Sequence, residues 1–271
     1  MSIKSILVHV DTAPQCDARV ALAAVVAKRL DADLSAVFAL PPPEVATWAD
    51  GPTLIELERE LVALEAAAVK AEDQFMAVLR KHGLRGRWLL ERDSAEICVI
   101  RRSRAADLVV LGQRDPERPQ ALEAPENVIM ACGRPVLMVP YIGSYPKAGD
   151  RPLVAWNDSR ESRRALHDAL PLMTGRRPAT IIWVKPEPEQ GKAAGADLSE
   201  YLNRRGLKAE TEFATNTELT PADEVLARAA DLGADLIVMG AYGHSRLREF
   251  VLGGMTRDIL GQMTVPVLMA H

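Results

Sequence analysis

The sequence predicts an α/β protein of two tandem, doubly wound, Rossmann-like domains, each an open five-stranded, mostly parallel sheet with helices on both faces. The main evidence is an internal repeat, because three apolar segments of the 271-residue chain occur twice in the same order. The pairs are ILVHVD at 6–11 with PLVAWN at 152–157, ADLVVLG at 106–112 with ADLIVMG at 234–240, and RPVLMV at 134–139 with VPVLMA at 265–270. Strand-like segments also alternate with helix-like segments in each copy. Both observations indicate two copies of one domain.

The strand candidates are short runs of Val, Ile and Leu without polar alternation, which is typical of strands covered on both faces of a parallel sheet. In the second copy, the predicted strands are Leu153–Trp156, Thr180–Val184, Lys208–Phe213, Leu236–Met239 and Pro266–Met269. The predicted helices are Glu161–Met173, Leu198–Arg205, Ala222–Leu232 and Met255–Gln262. Ser159 and Thr220-Pro221 are typical helix starts, since a cap residue precedes the first turn in each.

The first copy carries extra material after its second strand. A Pro41-Pro42-Pro43 run precedes one long amphipathic helix, predicted over Leu54–Arg80. A Gly- and Pro-rich segment, 141–150, is the predicted linker between the copies. We therefore expect domains at 1–143 and 151–271.

Composition excludes several classes of protein. The chain has 33 Lys and Arg against 37 Asp and Glu, a net charge of −4, so bulk charge does not predict binding to nucleic acid or to a membrane. No apolar run reaches the roughly 18 residues of a membrane span. The three cysteines are an odd number and lie far apart, which favours a reducing compartment over a disulfide framework. We expect a cytoplasmic protein.

The residues after the fourth strand of the second copy predict a phosphate site. In open α/β sheets, ligands bind beyond the carboxyl ends of the strands. Here the glycines follow the spacing G-x2-G-x9-G-G, at Gly240, Gly243, Gly253 and Gly254. Gly240 would let a ligand approach, Gly243 would allow a tight turn, and Gly253-Gly254 would open a helix whose free N–H groups receive an anion. Thr256 adds a hydroxyl, and Arg246, Arg248 and Arg257 add positive charge.

This pattern resembles the universal stress protein family, whose nucleotide-binding members carry G-x2-G-x9-G-[ST] after the fourth strand. The opening VAWNDSRES at 154–162 is similar to the family's V-x-V-D-G-S-x-x-S. The resemblance spans nearly the whole chain and implies an adenine nucleotide, ATP with or without Mg²⁺, in the second domain. It places Asn157, Val184 and Met239 beside the adenosine, and Gly240, Gly243, Gly253, Gly254, Met255 and Thr256 around the ribose and phosphates.

Two residues of the second copy depart from the family pattern. Asn157 replaces the usual aspartate, but its carbonyl still accepts a hydrogen bond and its amide adds donors. Gly254 replaces the usual Ser or Thr, which removes one hydroxyl contact and keeps the backbone donor.

The first copy departs further. It keeps Asp11 and Gly112, but the segment from Gly112 to Pro135 is three residues shorter than that from Gly240 to Pro266, since 23 compares with 26. The later glycines are absent, and four acidic residues of the loop would oppose a phosphate, namely Asp115, Glu117, Glu123 and Glu126. Pro125 also lacks the N–H that a cradle needs. We therefore expect a degenerate site.

Neither a catalytic set nor a metal-ligand spacing is evident, which leaves three classes of function. The first is an ATP-binding stress-response regulator of the universal stress type. The second is a slow ATPase or nucleotide-transfer enzyme, and the third is a nucleotide-free, dimerising scaffold for an unknown protein partner. Both copies end in an apolar edge strand, Pro135–Val139 and Pro266–Ala270, and such edges favour pairing. We expect an intrachain pseudo-dimer through these strands, with the long helix free to support a homodimer.

Overall fold

The computed structural model describes residues 2–42, 51–117, 122–184, 188–214, 218–242 and 254–271. The chain divides into two compact units. The first unit is Ile3–Arg134, and the second contains Pro135–His271. Both are parallel-dominated α/β units, which confirms the predicted fold class.

The first unit alternates strands and helices around a parallel sheet. Its elements are β1 (Ser5–Val10), α1 (Cys16–Leu30), β2 (Asp33–Leu40), α2 (Gly51–His82), β3 (Trp88–Arg92), α3 (Ala95–Ser103), β4 (Leu108–Gly112) and α4 (Pro125–Ala131). Parallel pairing gives the strand order β3-β2-β1-β4. The order reverses between β1 and β4, so their carboxyl ends border a crevice where a ligand would bind.

The second unit repeats this order with one addition. Its elements are β5 (Val136–Val139), β6 (Pro152–Trp156), α5 (Arg160–Ala169), β7 (Ala179–Val184), α6 (Pro188–Asn203), β8 (Ala209–Ala214), α7 (Pro221–Leu232), β9 (Leu236–Gly240), α8 (Met255–Gln262) and β10 (Val267–Ala270). Five strands are parallel in the order β8-β7-β6-β9-β10. The addition is β5, which lies antiparallel to β10.

The pairing of β5 with β10 is the edge pairing predicted from the two terminal strands. Its register places Leu268 opposite Leu137 and Met269 opposite Val136. All residues of β5 and β10 are buried. An edge that would otherwise expose apolar side chains and unpaired backbone groups is thereby covered within the chain.

The buried strands explain why the sequence shows unbroken apolar runs. Every residue of β4 and β6 is buried. In a sheet that carries helices on both faces, successive side chains meet apolar surroundings on either side. The sites of the two units therefore lie at the strand ends, where polar residues begin.

Helix boundaries agree with the prediction where caps mark them and differ elsewhere. Ser159 and Thr220 cap α5 and α7 through their hydroxyls, as predicted. The helix predicted to run to Met173 ends at Ala169 and continues as a 3-10 turn, because Pro171 has no N–H for an α-helical bond. Helix α6 begins ten residues before its predicted start at Leu198. Residues 188–197 contain no Val, Ile, Leu, Met or aromatic residue, so they give no apolar spacing from which a helix would be predicted.

Helix α2 is the long helix predicted in the first copy. It has 32 residues, twice the 16 of α6 at the corresponding place in the second unit. Ala68, Phe75 and Leu79 are buried, whereas Val62 and Val69 are exposed. Among the helices of the described ranges, none is both long enough and apolar enough to cross a membrane.

Candidate functional site

Three parallel strands of the second unit end side by side at the predicted site. Trp156 of β6 pairs with Trp183 of β7, so Asn157 and Val184 follow at neighbouring strand ends. On the other side of β6, Ala155 pairs with Met239 of β9, which ends at Gly240. The topology therefore brings these predicted residues to one edge of the sheet.

Asn157 shapes the turn that leaves β6. Its Oδ1 accepts a hydrogen bond from the Ser159 N–H at 3.2 Å, and Asp158 between them has a left-handed φ of +58°. The Ser159 hydroxyl then accepts from the Ser162 N–H at 3.1 Å and begins α5. Asn157 is exposed to solvent at this edge. An aspartate is therefore not needed for the turn, since an amide oxygen accepts the same hydrogen bond.

Gly240 is required by packing against α5. A Cβ on Gly240 would lie 2.5 Å from the Ser162 backbone nitrogen and 2.6 Å from the Glu161 carbonyl carbon. Such distances are too short for any side chain. The sequence pattern suggested that Gly240 lets a ligand approach the strand end. In the structure, the close packing of α5 against β9 is enough to require a glycine at this position.

Helix α8 begins at this edge without a side-chain cap. Gly254 is its N-cap, with φ −70° and ψ 134°, and as a glycine it has no side chain to accept from the first turn. Thr256 is buried, and its Oγ1 accepts a hydrogen bond from the Tyr242 N–H at 3.3 Å. Tyr242 itself has a left-handed φ of +55°. Thr256 thus connects the end of β9 to the start of α8, and its hydroxyl hydrogen remains a donor.

The other predicted residues are placed in part. Met239 is buried at the end of β9, and Met255 is half-buried in the first turn of α8. Gly243 and Gly253 lie outside the described residues, as do Arg246 and Arg248. Arg257 is exposed and lies 3.9 Å from the Asp258 carboxylate.

At the matching edge of the first unit, Arg19 occupies the space between strand and helix. Its Nη2 donates to Asp11 Oδ1 at 2.8 Å, and both side chains are almost fully buried. A Cβ on Gly112, at the end of β4, would lie 2.2 Å from Arg19 Nη1. Burial alone would raise the pKa of Asp11, but the Arg19 guanidinium outweighs it and holds that pKa below its ordinary value. The two residues that this copy keeps, Asp11 and Gly112, are therefore in contact with a side chain of the protein itself.

His9 extends this buried cluster. Its ring is fully buried, and Nδ1 lies 3.6 Å from Asp11 Oδ2. The pKa of His9 falls from 6.5 to about 4, chiefly because the ring is buried. Asp11 opposes this shift and Arg19 contributes to it. His9 is therefore neutral at pH 7, and Arg19 alone balances the Asp11 charge.

A carboxylate occupies the start of α4. Glu96 Oε1 accepts hydrogen bonds from the N–H groups of Glu123 at 3.1 Å and Ala124 at 3.2 Å. Ala124 is the N-cap of α4, so these are the backbone donors that would otherwise meet an anion at the helix start. Glu96 therefore takes the place that a phosphate would need.

The second unit has alanine at each corresponding position. Ala155 lies two residues before Asn157, as His9 lies two before Asp11. Ala165 lies eight residues after Asn157, as Arg19 lies eight after Asp11. Ala222 stands two residues after the cap of α7, as Glu96 does after the cap of α3. His9, Arg19 and Glu96 were not identified from the sequence. An alignment of the repeats shows them, since charged residues stand opposite alanines that are buried.

Within the described ranges, no three His, Cys, Asp or Glu side chains cluster in a way that could hold a metal ion.

Comparison with known proteins identifies the repeat. The model of the Universal stress protein family matches residues 2–140 and 150–271. Universal stress protein YxiE of Bacillus subtilis is 38% identical over 75 residues, which are 28% of this chain and 49% of that protein. Universal stress protein MJ0577 of Methanocaldococcus jannaschii is 37% identical over 80 residues, 30% of this chain and 48% of that protein. The chain thus spans about half the length of these curated relatives.

Solved structures match over the whole chain. A universal stress protein from Archaeoglobus fulgidus superimposes with a TM-score of 0.76 at 17% identity, covering 98% of this chain and 95% of that one. A functionally unknown protein, PA1789 from Pseudomonas aeruginosa, gives a TM-score of 0.62 at 16% identity, covering 99% and 92%. At these identities the similarity shows the fold.

Proposed function

Because the chain belongs to the universal stress protein family, we propose that it is a nucleotide-binding regulatory protein that holds one ATP, in its second unit. The adenosine would lie at the ends of β6, β7 and β9, beside Asn157, Val184 and Met239. The phosphates would meet the glycine loop and the start of α8, with Gly240, Gly243, Gly253, Gly254, Met255 and Thr256 around them. Mg²⁺ would be held, if at all, through the phosphates.

The observation that carries this proposal is the uncapped helix start at Gly254. The first N–H groups of a helix have no partner within the helix and attract anions. At α4 of the first unit, Glu96 accepts from such groups. At α8, the N-cap is a glycine, which has no side chain to accept from these groups. An ATP phosphate would supply the missing acceptor, as the family resemblance implies.

The neutral side chains of the second unit support the same assignment. Asn157, Ala155 and Ala165 replace the Asp11, His9 and Arg19 cluster. The second unit therefore has no buried ion pair of its own at the strand ends, where the adenosine would lie. We expect the first unit to bind no nucleotide.

Turnover of the bound ATP would be slow. Hydrolysis needs a group that positions a water in line with the γ-phosphate. Among the predicted site residues, Asn157 and Thr256 have polar side chains, and neither is a base. The absence of a base among these residues favours a regulatory role, set by whether nucleotide is bound, over rapid catalysis. We also expect the exposed face of α2 to support self-association, so that a second copy of the chain would be a partner.

Three variants at one helix test the proposal by calorimetric titration with ATP. Gly254→Ser introduces the residue usual in the family, and Gly254→Asp introduces a carboxylate. Ser and Asp are both favourable N-caps, so both variants keep α8 folded. Gly261→Asp is the matched control, because it adds the same charge to the last turn of α8, where a Cβ meets open space.

We expect Gly254→Asp to weaken ATP binding tenfold or more, about 1.4 kcal/mol, through charge repulsion at the phosphates. Gly254→Ser should bind ATP at least as tightly as the unaltered protein, and Gly261→Asp should change affinity less than about twofold. Equal affinity in the Gly254→Asp and Gly261→Asp proteins would refute the assignment.

A further inference from the structure

A second cavity of the second unit lies between α5 and α6, apart from the proposed nucleotide site. Its volume is about 720 Å³, which is in the range of small-molecule sites. Its walls are formed by polar residues of α5, by apolar side chains from β6, α5 and α6, and by the carboxylates of Asp158 and Asp197. Of the described residues assigned above to the nucleotide, Asn157, Met239, Gly240, Gly254 and Thr256 are absent from these walls.

One wall carries three arginines and a histidine. Arg160 pairs with Glu161, Arg164 donates to the His271 carbonyl and lies near Asp168, and His167 Nδ1 lies 3.2 Å from the Tyr201 hydroxyl. Arg160, Arg163, Arg164 and His167 recur at helical spacing, so they share one face of α5. Arg163 is paired with Asp158 at 3.4 Å, and both side chains are largely exposed. Exposed pairs of this kind contribute little to stability. A bound anion would therefore draw the Arg163 guanidinium from Asp158 at little cost.

Asp158, Asp197 and Tyr201 also line the cavity, and its remaining surface is apolar. Trp156, Leu166 and Leu198 are buried and lie on its walls. The Trp156 indole Nε1 is also buried and has no hydrogen-bond partner among the described residues. Buried indole N–H groups usually find an acceptor, and one without a partner calls for an explanation. A ligand that brings an acceptor to this wall would provide it.

The corresponding groove of the first unit has a different character. It lies between α1 and α2, has a volume of about 530 Å³, and is lined largely by small and apolar side chains such as Ala67, Ala71 and Phe75. At the spacings of Arg160, Arg163 and Arg164 after the strand end, the first copy has Pro14, Asp17 and Ala18. The arginine stripe is therefore specific to the second unit and is not a property of the repeat.

We propose that the cavity between α5 and α6 binds a small organic anion with a flat apolar body. The body would lie on Trp156 and Leu198, and a carboxylate or sulfonate group would be held by Arg163 with its neighbours on α5. Guanidinium groups suit such oxyanions because they donate parallel hydrogen bonds to two oxygens. Trp156 and Asp158 of this cavity flank Asn157, whereas the glycine loop follows β9, so we expect the anion and ATP to bind at neighbouring sites.

The test uses naphthalene-1-sulfonate as the probe and 1-naphthalenemethanol as its neutral counterpart. Both are titrated into the full-length, ¹⁵N-labelled protein while the indole N–H signals are followed by NMR. The chain has four Trp residues, and the Trp156 signal is assigned by its loss in Trp156→Phe. We expect the sulfonate to shift the Trp156 signal in a saturable way and to bind at least about tenfold more tightly than the alcohol.

Arg163→Gln should weaken sulfonate binding about tenfold. Arg204→Gln, which removes an equally exposed guanidinium that pairs with Glu200 outside the cavity, should change it less than about twofold. Gly254→Asp should leave sulfonate binding unchanged, which separates this site from the proposed nucleotide site. Equal affinity for the sulfonate and the alcohol, or equal loss in Arg163→Gln and Arg204→Gln, would overturn the proposal.

Discussion

The two repeats carry different side chains at the same three places around the strand ends. The first unit has His9, Arg19 and Glu96, and the second has Ala155, Ala165 and Ala222. In the first unit, Arg19 bonds to Asp11 and fills the space beside β4, while Glu96 binds the backbone at the start of α4. The first unit therefore supplies its own cation and anion at these places, with no change in the order of its strands.

The two units also differ in whether buried charges contribute to their stability at this edge. Asp11 and Arg19 are a buried pair, and removing one partner of such a pair leaves an uncompensated charge. The second unit has no charge at the matching positions, Asn157 and Ala165. The first unit should therefore be sensitive to substitution and to pH at this edge, and the second to added charge.

The largest effect is expected from Arg19→Met. This variant leaves the buried Asp11 carboxylate without its partner and should lower the free energy of unfolding by about 3–5 kcal/mol, measured in urea. Adding Asp11→Asn, which recreates the neutral residue of the second unit, should recover part of the loss. Arg204→Met, at an exposed pair, serves as the control and should cost less than about 1 kcal/mol. A loss below about 1 kcal/mol for Arg19→Met would contradict this account of the cluster.

The next effect is a pH dependence that arises from His9. Its pKa is about 4 in the folded protein and 6.5 ordinarily, so the unfolded chain takes up a proton that the folded chain does not. Stability should therefore fall as the pH drops from about 6.5 to about 4, by about 3 kcal/mol for the full shift. His9→Ala, which matches Ala155, should flatten this slope in urea unfolding across that pH range. An unchanged slope in His9→Ala would show that other groups cause it.

A reciprocal exchange should close the second site. Asn157→Asp with Ala165→Arg recreates the Asp11–Arg19 pair at the ends of β6 and β9. We expect ATP affinity to fall at least tenfold, because the guanidinium would take up space at the strand ends proposed for the adenosine. Asn157→Asp alone is the control, and it should retain binding within a few-fold. A folded double variant with unaltered affinity in calorimetry would show that the nucleotide does not use this space.

The smallest effect concerns Glu96 in the first unit. Glu96→Ala removes the acceptor for two backbone N–H groups at α4 and should lower the free energy of unfolding by about 1 kcal/mol. Glu96→Gln keeps an amide oxygen in the same place, so it should lose less than half as much in the same urea titration. Equal losses would mean that the Glu96 hydrogen bonds contribute nothing to stability.

The architecture could be predicted from the sequence because buried strands and helix caps leave local signals. Unbroken apolar runs located β4 and β9, and the caps at Ser159 and Thr220 located the starts of two helices. The bounds of α5 and α6 were less predictable. Pro171 ends α5 before Met173, and α6 begins at Pro188 although residues 188–197 contain no large apolar side chain.

The candidate site was predictable in its location and less so in its contents. Strand order and glycine spacing identify the edge that holds Asn157 and Gly240. They do not reveal Arg19 and Glu96, because a charged residue in a helix normally indicates a solvated face. The acidic loop of the first copy suggested that its carboxylates would repel a phosphate. In the structure, the charged side chains at the strand ends are Arg19 of α1 and Glu96 of α3. Only the fold brings those helices to the strand ends.

The central claim is that the chain holds one ATP, at the second unit. Native mass spectrometry of the full-length protein in the presence of ATP measures this directly. We expect the spectra to show one nucleotide per chain for the unaltered protein and for Gly261→Asp, and none for Gly254→Asp. Two nucleotides per chain, or one that persists in Gly254→Asp, would contradict it.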